Sequence, residues 1–95
     1  MPAGDLRIRR LVSLLHRRGI DLFLCVRLTN IRYLCGFSGS DAVLLVSPGG
    51  ATLLTDGRYA IQSQREVTGA EVVITDRKWQ ETARRIRRAR PGRIG

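Results

Sequence analysis

Histidine, cysteine, lysine and aromatic side chains are scarce in this 95-residue chain, and each scarcity removes a class of function. The only histidine, His16, precedes the serines at positions 38 and 40, so the chain order serine, acid, histidine of a hydrolase triad cannot be met there. It sits among Leu15 and Arg17 on a helical pattern and reads as a solvated helix residue. The two cysteines, Cys25 and Cys35, belong to neither a Cys-x-x-Cys pair nor a histidine-containing metal pattern, which excludes a disulfide framework and a zinc-knuckle arrangement. Cys25 ends an apolar run and reads as a small buried hydrophobe. No glycine-rich loop ends in Gly-Lys-Ser/Thr, so a phosphate cradle is absent. Apolar runs such as Ala42 to Val46 are far too short to cross a bilayer, and Arg7, Arg9 and Arg10 interrupt any signal-peptide core. A cytoplasmic location with no membrane association is the expectation.

What is present is charge of one sign. Sixteen arginines stand against one lysine, and the formal net charge is +9. Residues 77–95 carry Arg77, Lys78, Arg84, Arg85, Arg87, Arg88, Arg90 and Arg93 against Glu81 alone, a balance of +7. The first 76 residues carry only +2, so the basicity belongs to the last segment. The preference for arginine over lysine reads as base-composition bias. Hydrophobic residues at 43% with charged residues at 26% place the chain among globular proteins. With no internal repeat or linker, residues 1–95 are read as one small domain, able to bury roughly 60–65% of its unfolded surface.

The hydrophobic spacing predicts a first helix capped by Asp5, with Ile8, Leu11, Val12 and Leu15 on one face and Gly19 just past its end. Ile20 to Val26 is a nearly continuous apolar run, the pattern of a central strand covered on both faces. Thr29 is placed to cap a short helix that Gly36 ends, and Ala42 to Val46 is a second strand. Ser47-Pro48-Gly49-Gly50 is turn chemistry, so Ala51 to Leu54 should return antiparallel. Thr55 or Asp56 then caps a helix with contacts from Tyr59, Ala60 and Val67 that closes near Gly69, and Glu71 to Thr75 is a further strand. Asp76 is a natural cap for a last helix with Trp79, Ala83 and Ile86 on the core side. Pro91-Gly92 breaks it, and Arg93-Ile94-Gly95 opens another strand. This order argues for an α/β layer structure around a mixed sheet.

The carboxylates Asp5, Asp21, Asp41, Asp56, Asp76, Glu66, Glu71 and Glu81 mostly fall at caps and turns, and no metal site can be assembled from them. The loop Gly36-Phe37-Ser38-Gly39-Ser40 lacks the final glycine of a nucleophile elbow. An arginine-rich helix from Arg77 to Arg90 could track phosphates, yet its arginines occupy the faces a solvated amphipathic helix would expose.

A longer pattern is more specific. Asn30-x-x-Tyr33-Leu34-x-Gly36-Phe37-Ser38-Gly39-Ser40-Asp41, the Leu-Leu-Val strand at 44–46, Leu53-Leu54-Thr55-Asp56-Gly57-Arg58-Tyr59 and Gln62 through Glu66 stand in an order and spacing that resemble the amino-terminal domain of the creatinase, prolidase and Xaa-Pro aminopeptidase family. The resemblance spans nearly the whole chain. It implies a ribonuclease-H-like mixed α/β fold, incomplete before its last strand and helix. It also implies a parent metal-dependent Xaa-Pro peptidase whose dinuclear site (Mn, Co or Zn) lies in a separate, pita-bread catalytic domain, so this chain alone holds no cofactor and is not an enzyme. Its implied partners are that catalytic domain and a second subunit of a homodimer or larger assembly, with proline-containing peptides as the parent substrate. Carried over by position, Phe37, Ser38, Gly39, Ser40 and Asp41 would gate a neighbouring subunit's active site, with Phe37 equally placed to anchor the loop in the core. Asn30, Tyr33, Gly36, Asp56, Arg58 and Tyr59 would be structural, the last three at the strand-to-helix junction. The alternative is a basic nucleic-acid-binding module using Arg77 to Arg93, which the small number of aromatics disfavours.

Overall fold

The computed structural model describes residues 3–90, 92, 94 and 95. Helix α1 (Ala3–Arg17) buries Ile8 and Leu15 and half-buries Leu11 and Val12, as their spacing predicts. It begins at Ala3 and not just after Asp5 as expected, which puts Asp5 in the first turn beside the positive end of the helix dipole and not at the cap. Its far end closes as the glycine predicts. Gly19 has φ +65°, and the N–H groups of Gly19 and Ile20 donate back to His16 and Leu15 at 3.2 and 2.9 Å, the paired bonds of a Schellman closure.

Strand β1 (Phe23–Cys25) pairs antiparallel with β2 (Val43–Ser47), which pairs antiparallel with β3 (Gly50–Thr55), which pairs parallel with β4 (Glu71–Ile74). The sheet order is β1-β2-β3-β4. The expected hairpin and the mixed sheet are therefore both present. The expected central strand over residues 20–26 is corrected to a three-residue strand at the end of this order. Among the described residues, beyond β1 lies only a parallel bridge from Leu22 to Ile94, reinforced by Gly95 N–H to Leu22 C=O at 2.7 Å and Leu24 N–H to Gly95 C=O at 3.3 Å. With so little partner on that side, nothing extends the ladder to residues 20, 21 and 26. The bridge begins the further strand expected at the end of the chain; Pro91 and Arg93 lie outside the described residues.

Helix α2 (Leu28–Cys35) starts with Arg27 at the cap position, so Thr29 falls inside its first turn and caps nothing. Gly36 ends it at φ +86°. Asp56 caps a single 3-10 turn (Gly57–Tyr59) that runs into α3 (Ala60–Glu66), so Val67 follows that helix. Helices α1 and α2 cover one face of the sheet around Ile31, Cys35, Phe37, Leu44, Val46 and Leu53. Helix α4 (Lys78–Ala89) covers the other, where Leu22, Leu45 and Leu54 pack with Val73 and Ile86. Leu44 and Leu45 point to opposite faces and both are buried, which is why β2 reads as an unbroken apolar run.

The last helix corrects two expectations. Arg77, not Asp76, occupies the cap position, with its N–H donating to Thr75 Oγ1 at 3.1 Å. Trp79 is 55% exposed and not in the core. The inward stripe is Lys78, Thr82 and Ile86 at i, i+4 and i+8, so Ile86 faces the core as expected while Lys78 and Thr82 take the places expected of Trp79 and Ala83. Thr82 fits there because its hydroxyl donates to Lys78 C=O at 2.7 Å.

Candidate functional site

The loop from Gly36 to Asp41 is shaped by two glycines and one aromatic ring. Phe37 is 1% exposed and meets Tyr59 edge to face, with ring centroids 5.5 Å apart. Gly39 lies directly on that ring: a Cβ there would fall within van der Waals overlap of Phe37 Cζ and Cε2 and 3.0 Å from Tyr59 Cδ1. At Gly36 a Cβ would stand 2.7 Å from the carbonyl oxygen of Glu66, so the ends of α2 and α3 meet only because position 36 lacks a side chain.

The polar groups of the loop are individually tied down. Ser38 donates its N–H and its hydroxyl to the Glu66 carboxylate at 2.9 and 2.6 Å, and Gln62 Nε2 bonds both Ser38 Oγ and Glu66 Oε1, at 3.0 and 3.1 Å. Ser40 donates its N–H to Tyr59 Oη at 3.3 Å and shares a 2.5 Å hydroxyl contact with it. Thr55 Oγ1 donates to the carbonyl of Asp41 at 2.6 Å. The Asp41 carboxylate pairs with Arg58 at 3.4 Å and with the Lys78 ammonium at the start of α4. Asp56 accepts from the N–H of Arg58 at 2.9 Å and from its guanidinium at 3.0 and 2.7 Å, which fixes the strand-to-helix junction.

These bonds set the electrostatics. The Ser38 hydroxyl and N–H, with Gln62 and nearby Arg32 behind them, hold Glu66 below the usual glutamate range. The Arg58 guanidinium lowers Asp56, and the Ser40 hydroxyl and N–H lower Tyr59. A carboxylate lowered in this way is a weak base, so the Ser38–Glu66 contact braces the loop and does little to activate the serine. Burial raises the thiols of Cys25 and Cys35.

The outer side of the loop faces a groove of about 320 Å³ lined by Leu28, Thr29, Arg32, Phe37, Ser38, Gly39 and Ser40. The lining sets the Arg32 guanidinium and the exposed Ser38 and Ser40 side chains beside the apolar Leu28 and Phe37, while the N–H groups of Ser38 and Ser40 are already donated to Glu66 and Tyr59. No group of three or more histidine, cysteine, aspartate or glutamate side chains able to hold a metal occurs among the described residues.

Phe37, Ser38, Gly39, Ser40 and Asp41 are thus gathered with Asp56, Arg58 and Tyr59, next to Gly36. Asn30 and Tyr33 lie apart from them on the exposed side of α2. Arg7 stacks over the exposed Tyr33 ring, its guanidinium carbon 4.1 Å from the centroid, and its Nη1 donates to the Tyr33 carbonyl at 2.7 Å. Sequence reasoning placed Gln62 and Glu66 in the family pattern and Lys78 in the basic segment, but gave none of them, nor Arg32, a part in bracing the loop. One signal was available: Lys78 is the only lysine in a chain that otherwise uses arginine.

The model of the Creatinase/Prolidase N-terminal domain matches residues 7–95. The chain is 35% identical over 68 residues to an uncharacterized peptidase, YqhT, of Bacillus subtilis, covering 72% of this chain and 19% of that protein. It is 33% identical over 55 residues to Xaa-Pro aminopeptidase 1 of Dictyostelium discoideum, covering 58% of this chain and 9% of that one. Among solved structures it is similar to the N-terminal domain of the cytoplasmic peptidase PepQ from Mycobacterium tuberculosis, with a TM-score of 0.84, 36% identity and coverage of 96% of this chain and 72% of that chain. An Xaa-Pro dipeptidase from Bacillus anthracis gives a TM-score of 0.85 and 29% identity over 97% of this chain and 26% of its own. The chain therefore spans less than a fifth of the curated relatives it matches.

Proposed function

Because the chain belongs to the creatinase/prolidase N-terminal domain family, we propose that it serves an Xaa-Pro-type metallopeptidase as a non-catalytic domain that assembles subunits and gates an active site. The observation that carries this reading is the braced loop: Ser38 and Ser40 are exposed along a groove, while every bond behind them fixes the loop's shape. A pre-shaped wall restricts what enters a neighbouring pocket without itself reacting. Phe37, buried behind Gly39, sets the loop's position, and Ser38, Gly39, Ser40 and Asp41 form its working face. Proline-containing peptides are the proposed substrate of the whole enzyme, in the cytoplasm, with two divalent ions of the Mn, Co or Zn type held by its catalytic domain. No helix among the described residues is long and apolar enough to cross a membrane.

Two measurements test the reading. The purified chain, supplied with Mn²⁺, Co²⁺ or Zn²⁺, is expected to leave Xaa-Pro peptides intact, and metal-dependent cleavage would overturn the non-catalytic assignment. In a polypeptide that joins this domain to its catalytic domain, Ser38→Trp should fill the groove and change the preference between dipeptides and longer peptides. An unchanged preference would remove the gating role.

A further inference from the structure

Helix α4 carries more positive charge than its surroundings can neutralise. Its one acid, Glu81, is already engaged by Arg84, at 3.1 and 2.6 Å, and by Arg85 at 3.0 Å. Arg87, Arg88 and Arg90 are exposed and form no ion pair among the described residues. Arg84 with Arg87, Arg84 with Arg88, and Arg85 with Arg88 stand three or four positions apart, where like charges oppose the helix by a few tenths of a kcal/mol each. The lone tryptophan shares this surface. Trp79 is 55% exposed, and Ala83 and Arg87 follow it at i+4 and i+8, so indole and guanidinium lie on one stripe about 12 Å apart along the axis.

We infer that the outward face of α4, with Trp79 at one edge as its apolar anchor, Arg87 on the same stripe and Arg84 beside it, is a docking surface for an acidic, amphipathic polypeptide. Charge complementarity fixes the sign of the partner. The exposed indole fixes its kind, since tryptophan and arginine together mark protein–protein hot spots, whereas phosphate tracking needs the cations alone. The matched relatives are far longer polypeptides in which this domain is a small part, so a polypeptide surface is the partner at hand. The site is separate from the braced loop but linked to it, because Lys78 in the first turn of α4 pairs with Asp41.

Trp79 is the only tryptophan, so its fluorescence reports occupancy directly. Titration with a synthetic peptide bearing glutamates on one helical face and leucines on the other should shift the emission to the blue. Arg84→Glu with Arg87→Glu, checked for retained helicity, should weaken binding at least tenfold. Arg84→Gln with Arg87→Gln, checked in the same way, should do so in the same direction. Arg9→Glu with Arg10→Glu, an equal charge change at exposed positions of α1, should leave binding within about twofold. No shift with the peptide overturns the inference, and so does equal weakening by the α1 control, which would reduce the effect to net charge. Tighter binding of duplex DNA than of the peptide at physiological salt, lost in the same α4 variants, overturns it in favour of a nucleic-acid surface.

Discussion

Gly39 and Gly57 stand eighteen positions apart on the same side of the molecule, yet only one of them needs to be glycine. A Cβ at Gly39 overlaps the ring of the buried Phe37 and crowds that of the half-buried Tyr59, whereas a Cβ at Gly57 meets nothing within 4 Å. Gly39→Ala should therefore cost about 1–3 kcal/mol through overpacking, while Gly57→Ala should lie within about 1 kcal/mol of neutral on the stabilising side. For a domain of this size the first is a fall in Tm of several degrees for each kcal/mol, read in a thermal melt. Phe37→Ala should cost about 3–5 kcal/mol, most or all of the stability of a marginal domain. Glu66 adds a pH dependence. Its pKa is lowered in the folded state, so its contribution is complete above the ordinary glutamate value of about 4.3 and is lost as pH falls through the lower folded value. Glu66→Gln should flatten the acid limb of stability against pH relative to the parent chain and leave its shape near neutrality alone. Parallel acid limbs in the two proteins would show that Glu66 is not the group responsible.

At the scale of elements, the contact between Asp41 and Lys78 joins the loop to α4 across 37 positions of sequence. The Lys78 side chain is 14% exposed, so Lys78→Met keeps the packing of the stem and removes the charge. It should cost about 1 kcal/mol and speed amide exchange at Ser40 and in the first turn of α4 together. Faster exchange in only one of the two would break the proposed link. The same contact explains what was legible in the sequence and what was not. The hairpin at Ser47 to Gly50, the closures at Gly19 and Gly36, and the cap at Asp56 are local, and turn chemistry found each of them. The rotation of α4 that exposes Trp79 follows Lys78 toward a distant carboxylate, which no periodicity encodes. The length of β1 depends on how much strand lies beside it, also a non-local quantity. Among the loop residues the resemblance named positions 37–41 as one segment, but the brace from Glu66 and Gln62 is visible only once α3 is folded against the end of α2.

For the whole molecule, two properties oppose each other. Beside β1 the apolar side chains Leu11, Leu14, Leu15, Ile20 and Phe23 line a groove of about 370 Å³, next to a strand whose outer edge, among the described residues, meets only Ile94 and Gly95. An uncovered edge next to apolar surface favours association with another copy. The net charge of +9 opposes it, since like-charged copies repel at long range and that repulsion is screened within about 10 Å at 0.1 M salt. Association should therefore rise with ionic strength, the reverse of a contact held by ion pairs. Sedimentation velocity at low and high sodium chloride is expected to show a shift from monomer toward dimer or larger species as salt increases. Leu14→Glu, which places a carboxylate at a 37% exposed position of the groove wall, should restore the monomer at high salt with little loss of stability. A monomer that persists at high salt would mean that the edge is too short to pair, and association that weakens with salt would place the contact elsewhere, on the charged surface of the helices.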